Sequence, residues 1–366
     1  MIKYCIPFLV VIFFVSCRSE RVNKDESKVD SILSTAPDFS GVVLVADKGQ
    51  PVYFKSFGYQ DFKSKTPLDT TAIFELASVS KQFTAMTIMM LQEEGKLNYD
   101  DSLKNFIPEL PYAGITIRNL LNHTSGLPDY QAIMDQYWDK SKVAGNEDCI
   151  AYLVQHHPPM RFGPGSKYEY SNTGYILLAT VAEKASGKDF IEFLRERIFE
   201  PVGMTDTDIR TKEQKLKLKN FAWGFIYVPE KTEFISADSF PSSNYTIWLG
   251  NRKGPGRVSS TASDLLKWDQ ALYTSNLIPQ ATLQDAFSPT TLTNDSISNY
   301  GFGWSIQHSQ IGKVVRHSGG NPGYNTHIVR YIDSNKTIIM LCNNAHDQFG
   351  GLLNGIEEIV IDSNQN

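Results

Sequence analysis

Three short clusters along this chain combine residue types that can perform nucleophilic chemistry. Ser78-Val79-Ser80-Lys81 is the only Ser-x-x-Lys in the sequence. On a helix, three-residue spacing puts both side chains on one face, one turn apart. A serine hydroxyl is a poor nucleophile until a neighbour takes its proton. An amine with a lowered pKa can take it, and an ammonium that keeps its charge can instead lower the pKa of another base. The flanking Leu76, Ala77, Phe83, Ala85 and Met86 predict a buried helix. A buried lysine is costly without a partner. Taken alone, such a spacing turns up on the order of once by chance in a chain this long, and it equally fits a helix-capping serine beside a surface lysine.

Tyr170-Ser171-Asn172 is the only Tyr-x-Asn, set between the Gly163-Pro164-Gly165 turn and a helical run. A phenol serves as general base where positive neighbours hold it as phenolate, and an Asn amide offers both donor and acceptor to an amide or ester. An aromatic loop anchor followed by an Asn cap has the same pattern. His317-Ser318-Gly319-Gly320 closes a strand-like run from Val314. Paired glycines at a strand end permit close backbone approach, strand addition by an extended substrate and an N–H aimed at an oxyanion. A plain strand-to-turn transition reads the same. His156-His157 has no further ligand at metal spacing, and Gly301-Phe302-Gly303 precedes no phosphate-binding helix.

These clusters need elements to position them. The 366 residues are 41% hydrophobic and 20% charged, with a net charge of -5, which excludes fibrous and disordered classes and lacks the footprint of a nucleic-acid binder. Four cysteines exclude a disulfide scaffold; Cys149 and Cys342 could pair, though spacing does not say so. Ser40–Ala46 and Pro51–Phe57 read as a hairpin around Asp47-Lys48-Gly49-Gln50. Phe302–Gln307, Val314–His317, Thr326–Tyr331 and Thr337–Cys342 are further short strands, whose tight connections predict antiparallel pairing. Between these ends, Lys81–Glu94, Ile115–Leu121, Asn146–His156, Tyr175–Ser186, Phe190–Phe199 and Ser263–Tyr273 are helical by periodicity, and Phe349–Asp362 closes the chain as a helix. The expected class is α+β: one antiparallel sheet built from N- and C-terminal strands, flanked by helices, with an inserted helical subdomain. The aromatic stretch from Leu216 to Gly256 has no assignable element.

Residues 1–17 carry Lys3, an apolar run from Tyr4 to Val15 too short to span a bilayer, and Cys17. That is the pattern of a secretory signal, with Val15-Ser16-Cys17 resembling a lipoprotein signal that would anchor the chain through Cys17. A plain secretory signal is the alternative. Residues 18–30 have eight charged side chains in thirteen and read as a solvated tether, leaving 31–366 as one domain, with its sheet region at about 31–105 and 296–366 and its helical region at about 106–295.

The order Ser-x-x-Lys, Tyr-x-Asn, His-x-Gly resembles the serine β-lactamase and penicillin-binding superfamily, in its class C β-lactamase, D-alanyl-D-alanine carboxypeptidase and esterase branch. The runs Phe74–Thr84, His123-Thr124-Ser125-Gly126-Leu127-Pro128, Phe162-Gly163-Pro164-Gly165, Ser260-Thr261-Ala262 and Tyr300-Gly301-Phe302-Gly303-Trp304 carry the same resemblance. It implies an antiparallel sheet flanked by helices and a site in the cleft beside the helical subdomain. It also implies Ser78 as acylated nucleophile, and Lys81 and Tyr170 sharing proton transfer, with Tyr170 the favoured base. Asn172, His317, Ser318 and Gly319 would contact substrate, and the N–H groups of Ser78 and Gly320 would form the oxyanion hole. No cofactor or metal is implied; the partner is a D-Ala peptide, an ester or a β-lactam, in the periplasm or outer envelope. The β-lactamases carry Lys-Thr-Gly in the third motif, which this chain lacks. A histidine is only partly charged near neutral pH, so the expected activity is peptidase or esterase. A true β-lactamase and a weakly catalytic binding lipoprotein are the alternatives. If His317 governs carboxylate binding, His317→Lys should raise β-lactam turnover.

Overall fold

A computed structural model describes residues 25–365; the expected signal at 1–17, with Cys17, and the first part of the expected tether lie outside the described residues. The molecule is organised around six antiparallel strands in the order β3-β4-β5-β6-β1-β2. They are β1 Gly41–Asp47, β2 Gln50–Phe57, β3 Ser305–Ser309, β4 Gly312–Asn321, β5 Tyr324–Tyr331 and β6 Lys336–Cys342. The two ends of the chain meet where β1 lies against β6, from Gly41 opposite Cys342 to Asp47 opposite Lys336. The other neighbouring strands are joined by tight turns. Lys48 and Gly49 both have positive φ (52° and 74°), the pair of left-handed residues that a two-residue hairpin turn between twisted strands requires.

Alternation along these strands separates two cores. Val42, Leu44, Val315, Ile328, Ile339 and Leu341 face the larger one, shared with the helical subdomain. Val43, Val45, Val314, Val329, Ile338 and Met340 face the other. That second face is covered by the C-terminal helix Phe349–Gln365 and by a first helix, α1, over residues 25–33. The reading of 18–30 as a solvated tether is therefore corrected for its last residues. Val29 and Leu33 are buried against the sheet, and Asp30 accepts hydrogen bonds from Tyr53 Oη (2.7 Å) and Lys55 Nζ (2.8 Å). The high charge of this helix made the segment look unstructured, while a sparse apolar stripe and the pairing of Glu26 and Asp30 with Lys55 did the anchoring.

The inserted region is mainly helical. Its long elements include α2 Lys81–Glu93, α3 Asn172–Ser186 and α4 Ala262–Ala271, with Asn146–His156 between the first two. Within the unassigned 216–256 stretch lie a small hairpin, Phe225–Val228 with Glu233–Ser236, and a one-turn helix, Tyr245–Trp248. Cys149 and Cys342 are both free and buried, one in each core, so they do not pair.

Because Val29 is 3% exposed, Val29→Ala should cost about 1.5–3 kcal/mol in urea unfolding. A solvated tether would show no change.

Candidate active site

From Ala72 to Leu91 every residue is buried except one, Ser78, which is half-exposed. Its position comes from an elbow. Phe74 and Glu75 pair with Ser260 and Ser259 in a short strand, and Leu76 N–H donates to Val258 O (2.9 Å). Ala77 then turns with φ +47°, and a 3-10 turn over Ala77–Ser80 leads into α2. A left-handed non-glycine residue costs ~1–3 kcal/mol, so its surroundings must hold it. Thr326 Oγ1 donates to Leu76 O (2.8 Å) and Val258 N–H donates to Ser80 Oγ (3.1 Å), tying both arms of the elbow.

Lys81 is fully buried one turn past Ser78. Its Nζ lies 3.1 Å from Ser78 Oγ, 2.8 Å from Asn172 Oδ1 and 2.9 Å from Pro255 O. Desolvation, with the nearby Arg252 charge, pushes its pKa well below the usual lysine range. A neutral amine has two N–H donors, which Asn172 and Pro255 accept, and one lone pair. That lone pair is then aimed at the Ser78 hydroxyl. Asn172 is the first residue of α3, and the cap is Ser171, whose Oγ accepts from Gly174 N–H (3.4 Å).

Tyr170 stands over this pair, its ring 4.7 Å from Lys81 Nζ and its hydroxyl within hydrogen-bonding reach of Ser78. Tyr170 as a residue is 41% exposed, while burial around the hydroxyl pushes the phenol pKa upward. The phenolate needed for Tyr170 to be the favoured base is thus disfavoured, whereas the neutral amine of Lys81 is favoured.

The third motif lies inside β4, which runs on to Asn321 rather than ending at the glycines. Strand β3 stops opposite Arg316, so residues 317–321 keep β5 as neighbour on one side and an open edge on the other. Gly319 packs on the elbow: a Cβ there would sit 2.1 Å from Leu76 O and 2.3 Å from Thr326 Oγ1. Ser318 and Gly320 face the cleft, and a Cβ on Gly320 would meet nothing within 4 Å. Two of the expected substrate-contact residues, Gly319 and His317, are buried. Gly319 serves the approach of strand to elbow. His317, 5% exposed, has Nδ1 2.6 Å from the Ser318 carbonyl, which can only accept, so Nδ1 carries the proton. Its Nε2 then accepts from Tyr300 Oη (2.9 Å). Burial and the Lys81 charge push its pKa down to about 3. His317 is a neutral acceptor within a buried network, not a cation.

Sequence reasoning gave no role to His123 and Tyr300, although both lie in quoted motifs. His123 has φ +60° and brackets Tyr170: its carbonyl accepts from Glu169 N–H (2.9 Å) and its Nδ1 from Ser171 N–H (3.1 Å). Its ring centroid lies 4.4 Å from that of Tyr170 and 4.6 Å from that of Tyr300. Desolvation and neighbouring charges lower its pKa.

A family model described as Beta-lactamase matches residues 29–357. Penicillin-binding protein 4* of Bacillus subtilis (strain 168) is 43% identical over 311 residues, covering 84% of this chain and 69% of that protein. A D-aminopeptidase of Cereibacter sphaeroides is 25% identical over 340 residues, covering 90% of this chain and 63% of its relative. Among solved structures, a penicillin binding protein from Bacillus halodurans superimposes with a TM-score of 0.77 at 26% identity, covering 90% of this chain and 98% of the other. A D-amino acid amidase from Ochrobactrum anthropi SV3 does so with a TM-score of 0.73 at 25% identity, covering 94% and 98%.

The buried histidines carry a pH signature. His317 (about 3), His327 (about 4) and His123 all have folded pKa values below the ordinary 6.5. The unfolded chain therefore binds more protons, and stability is lost as pH falls below 6.5. Each group contributes up to about 1.4 kcal/mol per pH unit over that window. Calorimetry from pH 6.5 to 4.5 should show a falling Tm, with a shallower slope in His317→Gln; a flat Tm would contradict the neutral, buried assignment.

Proposed function

The chain belongs to the beta-lactamase family, as a serine hydrolase of the penicillin-binding-protein and D-aminopeptidase type, and we propose that it is a D,D-peptidase or esterase of the cell envelope acting through an acyl-enzyme on Ser78. The observation that carries this reading is a lone half-exposed serine in a buried run, with a desolvated lysine nitrogen 3.1 Å from its hydroxyl.

Ser78 Oγ attacks the substrate carbonyl carbon as its proton passes to the neutral Lys81 Nζ. The oxyanion is received by the N–H groups of Ser78 and Gly320, the latter on the open edge of β4. Loss of one such donor typically costs about 3–4 kcal/mol of transition-state stabilisation. The Tyr170 hydroxyl delivers a proton to the departing group and is reprotonated from Lys81. A water then attacks the ester carbonyl and its proton returns along the same path, freeing Ser78. Asn172 holds Lys81 through Oδ1 and keeps its N–H donors for the substrate.

The neutral state of His317 favours peptidase or ester chemistry over efficient β-lactam hydrolysis, because no fixed cation stands in the third motif. D-aminopeptidase and D-amino acid amidase relatives point the same way. The envelope location rests on the leader-like segment and on penicillin-binding relatives. Among the described residues no helix is long and apolar enough to cross a membrane.

Intact mass after mixing with benzylpenicillin or an activated ester should give an adduct that Ser78→Ala abolishes. An adduct that persists in Ser78→Ala would refute the assignment. Proton delivery is tested separately. Tyr170→Phe should slow amide hydrolysis 10²–10⁴-fold but p-nitrophenyl ester hydrolysis far less, since that leaving group departs without a proton. Lys81→Met should lose both. Equal losses on the two substrates in Tyr170→Phe would make Tyr170 the proton acceptor from Ser78 instead.

A further inference from the structure

The last residue of β4, Asn321, is also a wall of a cavity of about 240 Å³. At roughly 30 Å³ per water, that is room for a short chain of some eight heavy atoms. Arg257 lines it and is 6% exposed. It is linked to the catalytic elements through the backbone, since two residues before it the Pro255 carbonyl accepts from Lys81 Nζ. Its own backbone sits at φ +81°, a strained conformation for a residue with a side chain.

The guanidinium is half used. Nη1 donates to Thr246 O (3.2 Å), and buried Nε has no hydrogen-bond partner among the described residues. Nε and Nη2 form the edge of the fork that matches a carboxylate with two parallel hydrogen bonds. An unpartnered buried charged donor is costly, and here that cost coincides with backbone strain at the same residue. The other buried charges lining the cavity are ion-paired, although neither oxygen of the Glu75 carboxylate has a hydrogen-bond partner among the described residues. Glu75 forms a buried ion pair with Lys215, and Lys212 meets Asp238 at 3.0 Å nearer the surface. Glu213 is exposed at the rim. The buried set of Glu75, Lys215 and Arg257 is left with one positive charge.

The direction of the substrate follows from Tyr170. The group that protonates the leaving atom marks the leaving side, and Tyr170 lies at the His317 end of the open edge, with ring centroids 6.2 Å apart. The acyl part must then run the other way along β4, towards Asn321 and the cavity. We infer that this cavity is the acyl-side subsite and that Arg257 selects acyl groups bearing a terminal carboxylate. The inference rests on the reading of Ser78 as nucleophile.

The test is a matched pair of substrates: the mono-p-nitrophenyl ester of glutaric acid, and the same ester with its far carboxylate capped as a methyl ester. The full chain should prefer the acid at least tenfold in kcat/KM, or in acylation rate by intact mass if deacylation is slow. Arg257→Gln should collapse that ratio below threefold, and Arg257→Lys should retain part of it. A ratio near one in the unmodified protein needs no variant to overturn the subsite. A ratio unchanged in Arg257→Gln or Arg257→Lys overturns it equally, while leaving Ser78 in place. No turnover of either ester, with no adduct on Ser78, would remove the nucleophile reading and the subsite with it.

Discussion

Burial of the Lys81 amine is the constraint on which the rest of this structure depends. An ammonium removed from water must be surrounded by acceptors or lose its proton. Here the amine loses its proton, donates to the oxygens of Asn172 and Pro255 and turns its lone pair to the Ser78 hydroxyl, three partners on three separate parts of the chain. Each partner therefore binds an element to α2: the elbow before it, the start of α3, and the 254–257 segment. Thr84 Oγ1 adds a further tie, donating to Gly254 O at 2.8 Å. The rings of Tyr170 and Tyr175, 4.7 and 5.4 Å from Nζ, supply the remaining favourable electrostatics. Stability and reactivity draw on the same contacts, because the desolvation that lowers the lysine pKa also makes it able to take a proton from Ser78.

The sheet supplies what a helix pair could not, a straight backbone edge brought against the nucleophile elbow. Two main chains must nearly touch for this, and glycines mark the places. Gly319 lies against Leu76 O, and Gly303, with φ +78°, lies 3.0 Å from Lys81 O measured at the position of an added Cβ. Ending β3 opposite Arg316 leaves the next five residues of β4 open at the cleft. Pairing between the two chain ends at β1 and β6 holds that strand in a continuous sheet, so the cleft edge inherits the rigidity of two cores.

Much of this was legible in the residues themselves. Terminal strands with tight turns imposed antiparallel pairing, and strong 3.6-residue periodicity placed Asn146–His156 with its observed bounds. The Ser-x-x-Lys spacing, ambiguous alone, acquired meaning from the order of the other motifs. What stayed hidden has physical causes. Residues 25–33 bury only a thin apolar stripe beneath a charged surface, so composition outweighed pattern. The 216–256 stretch is built from short elements whose shape comes from tertiary packing rather than local preference. The elbow at Ala77 has no sequence mark, since alanine is an ordinary helix former and its left-handed φ is imposed by the strands around it.

His317 shows why residue type alone misassigns charge. As an isolated histidine it would titrate near neutrality and could stand in part for the fixed cation of the β-lactamases. Its site removes that option from both sides. The Ser318 carbonyl fixes the proton on Nδ1, the Tyr300 hydroxyl occupies Nε2, and the Lys81 charge opposes a second positive group nearby. A lysine placed there would not simply add a carboxylate anchor. It would put a second amine into a buried space shared with Lys81, displacing the Tyr300 hydrogen bond and making protonation of each amine more costly. The expectation that His317→Lys should raise β-lactam turnover therefore does not follow from this geometry. A neutral third motif leaves the leaving side of this cleft without a fixed cation, so under the inferred subsite it is Arg257, on the acyl side of the bond to be broken, that discriminates charge.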